Sequence, residues 1–492
     1  IITFFFVSIV ISIPFLEFIQ FNHLNINYNS DLQVNFLTLK RLFGFYLFLL
    51  MIFFIVLIFL NKVTNSNKFD LIIFLSFSYW LLFKYNDLKK FFNFEIFKNF
   101  SKYDGYISFI FIILIFLIFL IFYVKKKTKF INNFVFIYLV LNFLLLIGNI
   151  STNNSSSNEV NKNIFKHKKV EIINLDRKNI YFFVLDAMPP IEISDKIFGT
   201  NSNKFLDDLS SKGFEYIRNS SSFYGNTFFA IGSLFNFGVF EGKKQKIAYS
   251  INEMKYPELA FPTFLRGKNT SNLEFNLNNL GYNIKWIGNH FFNCQGYNRA
   301  YCIDEIESSN LFFNYEILSF LKKTPFEPLA YYISKIIGFN YEKKILFEAN
   351  NGIKKFNKFL IQNGKPNIPT FIFVHHTISH WPYLANSNCD FEKNYGKNNI
   401  TGIKKVLECN KKLIKETINT ISEYDKEAVV IFQSDHSWEL SNLDSNKYGD
   451  RKHIFNLVKL NEVCKNKYDL LIENINIGKI ILYCATETVP NF

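Results

Sequence analysis

A chain of 492 residues exceeds what one hydrophobic core ordinarily organises, so at least two structural units are expected. Lys and Arg outnumber Asp and Glu by 55 to 41, a formal charge of +14, yet no basic stripe interleaved with aromatics and no nucleic-acid motif accompanies it. A nucleic-acid partner is therefore set aside. The bias to Phe, Ile, Leu, Asn and Lys fits AT-rich codons, and a positive surface also suits anionic lipid head groups.

The chain starts on Ile1 rather than Met, which leads us to expect a true N-terminus upstream. Three uncharged stretches, Leu42–Leu60, Gly105–Val124 and Phe130–Ile150, are long enough to cross the roughly 30 Å hydrocarbon core of a bilayer. Ile1–Leu16 is a fourth, and Leu71–Phe83, flanked by Phe69 and containing Tyr79-Trp80, is a short or tilted fifth. Buried helices of a soluble protein would carry a polar stripe, which these lack. Residues 1–150 thus read as a multi-span α-helical membrane domain of about five spans, with four as the alternative. Lys125-Lys126-Lys127-Thr128-Lys129 places the loop before the last span in the cytoplasm, so everything after Ile150 lies outside it. All six cysteines fall in that exported part, as disulfides in an oxidising compartment would. Closeness in sequence pairs Cys294 with Cys302 and Cys389 with Cys409. For Cys464 and Cys484, pairing and unpaired thiols both stay open.

Ser151–Lys169 is polar and aperiodic, a linker (151–169) to a second domain covering 170–492. There strands and helices alternate. Strands are expected at Asn179–Leu185, Tyr282–Ile287, Thr370–Val374, Ala428–Phe432, His453–Lys459 and Lys479–Cys484. Helices are expected at Asn203–Lys212, Thr227–Phe237, Ser271–Leu280, Tyr341–Gln362 and Thr401–Tyr424. This order implies an α/β domain with a mostly parallel sheet.

Polar residues collect where buried strands end, the edge at which open α/β sheets hold ligands. Asp186 follows Asn179–Leu185, with a turn or helix-cap aspartate as the plain alternative. Asp435-His436 follows Ala428–Phe432 and offers an oxygen and a nitrogen to one divalent cation. Three of the chain's eight histidines, His375, His376 and His380, cluster past Thr370–Val374. Thr227 opens a helix whose N-terminal dipole favours a bound phosphate, although capping alone would explain a lone threonine. A divalent ion on Asp186, Asp435 and His436 that also bound the Thr227 oxygen would lower its pKa and make it a nucleophile.

In order, Leu185-Asp186-Ala187, Asn226-Thr227, Ser379-His380-Trp381-Pro382-Tyr383 and Gln433-Ser434-Asp435-His436 resemble the motifs of sulfatase-like proteins of the alkaline phosphatase superfamily. The likeness covers about Asn179 to Leu460. With spans in front, the chain is similar to the membrane-anchored phosphoethanolamine and phosphoglycerol transferases, lipoteichoic acid synthase-like enzymes among them. That resemblance implies an alkaline phosphatase/sulfatase-like fold and one divalent metal ion, Zn²⁺ or Mn²⁺, on Asp186, Thr227, Asp435 and His436. It implies a transient phospho-Thr227 and catalytic work by Thr227 and His380. Substrate contacts fall to His380, His376, Arg451 and His453. The implied partners are a membrane phospholipid donor and a surface glycan or lipid acceptor, at a multi-pass bacterial cell (inner) membrane. Two departures stand out: Ser437-Trp438 where the family usually has Gly, and Asp186 where many transferases have Glu. A formylglycine sulfatase needs Cys or Ser followed by Pro and Arg, and Asn226-Thr227-Phe228-Phe229-Ala230 offers neither. The rivals are a hydrolase with the same metal chemistry and a non-catalytic membrane scaffold. A transporter is disfavoured because the spans lack buried charges and broken helices.

Overall fold

The computed structural model describes residues 177–243, 246–250, 253–256, 259, 271–287, 301–303, 343, 347–348, 351–394, 399–438, 451–465 and 472–486, with scattered helical residues between 12 and 144. The chain divides into two compact units, Ile1–Val160 with Glu307–Tyr341, and Asn161–Ile306 with Glu342–Phe492.

Every described residue of the first unit is helical. Leu47, Met51, Ile55 and Phe59, spaced four apart and so on one helix face, are all exposed, as are Ile137, Leu141 and Leu144. The expected spans fall largely outside the described residues, and among the described residues no helix is long and apolar enough to cross a membrane. The 151–169 linker also lies outside them.

The second unit is an α/β domain with a mostly parallel sheet around β1 (Ile180–Leu185). The other strands of its sheet are β2 (Glu215–Tyr216), β3 (Asn283–Ile287), β4 (Tyr301–Ile303), β5 (Thr370–His376), β8 (Val429–Gln433) and β9 (Asn456–Lys459). The seven strands run in the order β2-β9-β8-β1-β5-β3-β4. Pairing is parallel from β8 through β1, β5 and β3 to β4, and antiparallel only at β9 and β2. A separate hairpin pairs β6 (Tyr383–Ala385) with β7 (Phe391–Asn394).

β1 shows why both faces must be covered. All its residues are apolar and buried, and strand geometry sends alternate side chains to opposite sides. Tyr181, Phe183 and Leu185 enter one core with α1 (Ile191–Phe198), α2 (Asn203–Ser210), α5 (Gly352–Asn363) and α6 (Ile400–Tyr424). Ile180, Phe182 and Val184 enter the other with α3 (Thr227–Asn236), α4 (Asn272–Asn279) and α8 (Ile477–Thr486). Phe183 stacks on Phe432 across the β1–β8 pair with ring centroids 4.3 Å apart. Burying a side chain of this size contributes about 2–3 kcal/mol.

Two expectations need correction. Lys479–Cys484 is not a strand but the middle of α8, because a short apolar run suits a buried helix as well as a strand. Gly478 lets that helix lie against the Leu234 carbonyl of α3, where a Cβ would collide. The helix expected from Tyr341 is described as α5 only from Gly352, with Asn351 capping it by accepting a bond from Lys354 N at 3.2 Å. α1, β2, β4 and the β6–β7 hairpin carried no sequence signal strong enough to place. Cys389 and Cys409 are joined as expected, and Cys464 pairs with Cys484, tying α8 to the helical turn α7 (Glu462–Lys465). Cys294, the expected partner of Cys302, lies outside the described residues.

Candidate metal centre and active site

The site is assembled by strand parity. β8, β1 and β5 are parallel neighbours, so their C-terminal ends open on one edge. Asp186 continues the alternation of Ile180, Phe182 and Val184, and Asp435 that of Val429 and Ile431. His375 continues Phe371 and Phe373, and its ring stacks over Phe373 at 6.4 Å. All three belong to the α3 side of the sheet. Ligand atoms of Asp186, His375 and Asp435 lie within 4.8 Å of one another, and all three residues are buried.

Directly after Asp186 the backbone turns left-handed at Ala187, φ 59°, a conformation that costs a non-glycine residue about 1 kcal/mol. The turn sends Ala187 N–H to Asp435 Oδ1, 3.1 Å, which also accepts from His436 N at 2.9 Å. Ser379 Oγ donates to the Asp186 carbonyl at 2.7 Å, tying the His380 segment to the same turn.

Thr227 is the first residue of α3, but the cap is Asn226, whose Oδ1 accepts from Phe229 N at 3.1 Å. Capping therefore does not occupy Thr227. Its hydroxyl instead stands 3.2 Å from His436 Nε2. The tautomer of that imidazole follows from its other nitrogen: Nδ1 lies 2.8 Å from the Ser437 carbonyl, which can only accept, so Nδ1 carries the proton. Nε2 keeps its lone pair, 3.7 Å from Asp186 Oδ1 and 3.5 Å from Asp435 Oδ2. A backbone carbonyl behind the ring is the arrangement that orients a metal-ligating histidine.

The electrostatics ask for a cation. Burial pushes the Asp186 carboxyl upward, but the fields of His380, His375 and His436 and a hydrogen bond from His375 outweigh it and hold the group well below the usual range. Asp186 is thus an anion with almost no water around it. Asp186 Oδ1 and Asp435 Oδ2 are buried and have no hydrogen-bond partner among the described residues. Two such oxygens, each within 3.7 Å of the one His436 Nε2, would be costly without a positive group. A hard divalent ion fits this donor set of carboxylates and imidazole.

The other expected residues separate. His380 is exposed, and its Nδ1 donates to the Trp381 carbonyl at 2.6 Å, leaving Nε2 to exchange protons. Arg451 Nη2 lies 3.4 and 3.5 Å from the two ring nitrogens of His436, and Arg451 Cβ would stand 3.3 Å from a Cβ placed at Gly225. His453 is exposed and bridges to Ser221 through the backbone. His376 points to the opposite face. It is fully buried, its Nδ1 accepts from Ile353 N at 3.4 Å, and its Nε2–H donates to Asn410 Oδ1 at 3.0 Å. Both ring nitrogens are thereby spent on α5 and α6, and burial lowers its pKa to about 4. Trp438, standing near the position where a glycine is usual, turns into the core edge-on to Phe198 at 5.0 Å, and its Nε1 holds the Ser379 carbonyl at 3.0 Å.

His375 was not singled out from its neighbours by sequence. The usable signal was its parity with Phe371 and Phe373, given that the threonine helix covers that face.

Residues 247–461 match the family model described as Sulfatase. Among solved structures, the fold is similar to the C-terminal periplasmic domain of EcEptC from Escherichia coli, at 10% identity over 65% of this chain and 86% of that one, TM-score 0.38. It is similar to lipooligosaccharide phosphoethanolamine transferase A (EptA) from Neisseria meningitidis, at 13% identity over 78% and 70%, TM-score 0.40. A third is the lipoteichoic acid synthase LtaP from Listeria monocytogenes, at 13% identity over 57% and 65%, TM-score 0.35. No curated protein matches the sequence.

Proposed function

We propose, with a sulfatase-like α/β domain matched by that family over residues 247–461 as the premise, that this chain is a metal-dependent transferase. It moves a phosphoethanolamine or phosphoglycerol group from a membrane phospholipid to a cell-envelope glycan or lipid. The observation that carries the reading is the Thr227 hydroxyl, released from capping by Asn226 and 3.2 Å from His436 Nε2 beside two buried carboxylates. One divalent ion, Zn²⁺ or Mn²⁺, held by Asp186, Asp435, His436 and the Thr227 oxygen, supplies Lewis-acid activation and charge neutralisation when bound.

In the first half-reaction Thr227 Oγ1 bonds to the donor phosphorus while the bond from phosphorus to the diacylglycerol oxygen breaks. The threonine proton leaves to solvent. His380 protonates the departing oxygen through Nε2, since its Nδ1–H is committed to Trp381. In the second half an acceptor hydroxyl gives its proton to His380 Nε2 and bonds to phosphorus, the Thr227–phosphorus bond breaks, and Thr227 takes a proton back from solvent. The N–H groups of Thr227 and Phe228 at the start of α3 have no intrahelical acceptor, and with Arg451 they favour the charge on the phosphoryl oxygens. His375, 3.5 Å from Asp186 Oδ2, orients that carboxylate.

Exposed apolar side chains on the helices of the first unit support a bilayer setting. The disulfides of the second unit support an oxidising compartment outside the cytoplasm. The full chain, given headgroup-labelled phospholipid, is expected to label an added envelope glycan and to lose this with Thr227→Ala. Label released only to water, at one rate with or without acceptor, contradicts the transferase reading.

A further inference from the structure

Beyond the site, the chain leaving α3 folds back on itself, with isolated bridges pairing Glu241 with Ile247 and Gly242 with Met254. Gly242 N bonds Lys246 O at 2.6 Å, Ala248 N bonds Phe240 O at 2.9 Å, and Lys255 N bonds Glu241 O at 2.8 Å. Opposed Phe240 and Ala248 are buried. By the strand period, their neighbours Val239, Glu241, Ile247 and Tyr249 share the outward face, with Glu241 bridged opposite Ile247, and the three apolar and aromatic ones are 41, 40 and 59% exposed. At the tip the sequence runs Lys243-Lys244-Gln245-Lys246. Lys243 and Lys246 are exposed, and neither has an ion pair among the described residues. The nearby acids are engaged: Glu241 with Lys255 Nζ at 2.9 Å, and Glu253 with Tyr249 N at 3.0 Å. The result is a face on which an ion-paired Glu241 stands among apolar side chains, next to the exposed Lys243 and Lys246.

Its root is tied to the catalytic loop. Tyr224, three residues before Thr227, accepts from Phe240 N through its hydroxyl at 2.9 Å and packs against Phe229 at 5.1 Å. Phe223 stacks on Tyr249 with centroids 6.3 Å apart.

We propose that this segment rests on an anionic phospholipid surface, with Val239, Ile247 and Tyr249 in the headgroup layer and Lys243 and Lys246 on lipid phosphates. Apolar and aromatic side chains beside lysines are the combination that binds the interface without spanning it. The aromatic root then holds the Thr227 loop close to the lipid plane. The inference rests on the membrane setting of the proposed function and not on its chemistry.

The test uses the full chain in nanodiscs, whose two faces are both open to protease. Trypsin cleavage after Lys243, Lys244 and Lys246 is expected to be at least tenfold slower in phosphatidylglycerol-containing discs than in phosphatidylcholine discs, with other tryptic sites as the reference for folding. The protection should weaken with salt. Read as the ratio of cleavage rates between the two lipids, it should vanish in Ile247→Ser/Tyr249→Ser and, at the remaining Lys244 site, in Lys243→Glu/Lys246→Glu, while Thr227→Ala keeps it. Equal cleavage in both lipids, or protection that survives both double variants, overturns the proposal. Protection that tracks protein concentration instead assigns the face to a second copy and also overturns it.

Discussion

The sheet carries buried carboxylates at both edges, one at the N-terminal ends of its strands and two at the C-terminal ends, and the two edges are built differently. At the N-terminal edge Asp425 receives Asn179 Nδ2 at 2.6 Å and Tyr181 OH at 2.7 Å on Oδ2, with Lys365 Nζ 3.7 Å from Oδ1. Asn179 Oδ1 in turn accepts from Thr370 N at 2.8 Å, so this carboxylate clamps the starts of β1, β5 and β8. At the C-terminal edge Asp186 and Asp435 each keep a buried oxygen without a hydrogen-bond partner among the described residues. A carboxylate whose oxygens are met by the fold serves the fold. One left unmet at the edge where parallel strands open is arranged for something the chain does not itself provide.

The largest expected effect separates the two edges by function. Thr227→Ala and Asp435→Asn, which keeps the Oδ1 acceptor for Ala187 N and His436 N, should each lower phospholipid headgroup release by at least about a thousandfold, about 4 kcal/mol of barrier, with little change in the melting temperature. Asp425→Ala should do the reverse. It strands two buried donors and should cost about 4 kcal/mol in urea unfolding, while activity per folded molecule stays unchanged. Asp425→Ala melting like the wild type would break the comparison.

His376 marks the border between the two kinds of group. Burial chiefly, against a partial offset from Asn410, lowers its pKa from 6.5 to about 4. The unfolded chain therefore binds this proton first. The stabilising contribution is complete above pH 6.5 and is lost as pH falls toward 4, by about 3 kcal/mol in all. His376→Asn should flatten the stability–pH curve in that window. An unchanged slope would mean that the ring is not held neutral by α5 and α6.

The smallest effect sharpens the metal assignment. Zn²⁺ at a hundred times its dissociation constant should stabilise the wild type by about 2.7 kcal/mol, read as a rise in melting temperature. Asp435→Asn should abolish that rise, yet should not itself destabilise the metal-free protein, because it relieves a confrontation of unmet carboxylate oxygens. Asp425→Ala should keep the full rise.

The strands that build the site were legible because they are continuous apolar runs that stop on an acid: β1 on Asp186, and β8 two residues before Asp435. Thr227 was legible as the opening of α3, but only the structure shows Asn226 doing the capping. What the sequence left undecided was which side of the sheet each histidine serves. His375 and His376 are one residue apart and face opposite cores, a distinction that depends on which helices cover which face. α8 was misassigned for a related reason: Ile480, Ile481 and Leu482 are buried in either geometry, and only contact with α3 and the Cys464–Cys484 link selects the helix.

The central claim is that Thr227 carries the transferred group. Mass spectrometry of the Thr227 peptide, after the full chain is mixed with phosphatidylethanolamine or phosphatidylglycerol and quenched without acceptor, tests it most directly. The account predicts added mass on Thr227 equal to phosphoethanolamine or phosphoglycerol, discharged when an acceptor glycan is added. An unmodified Thr227 while headgroup transfer proceeds, or an adduct on another residue, would contradict it.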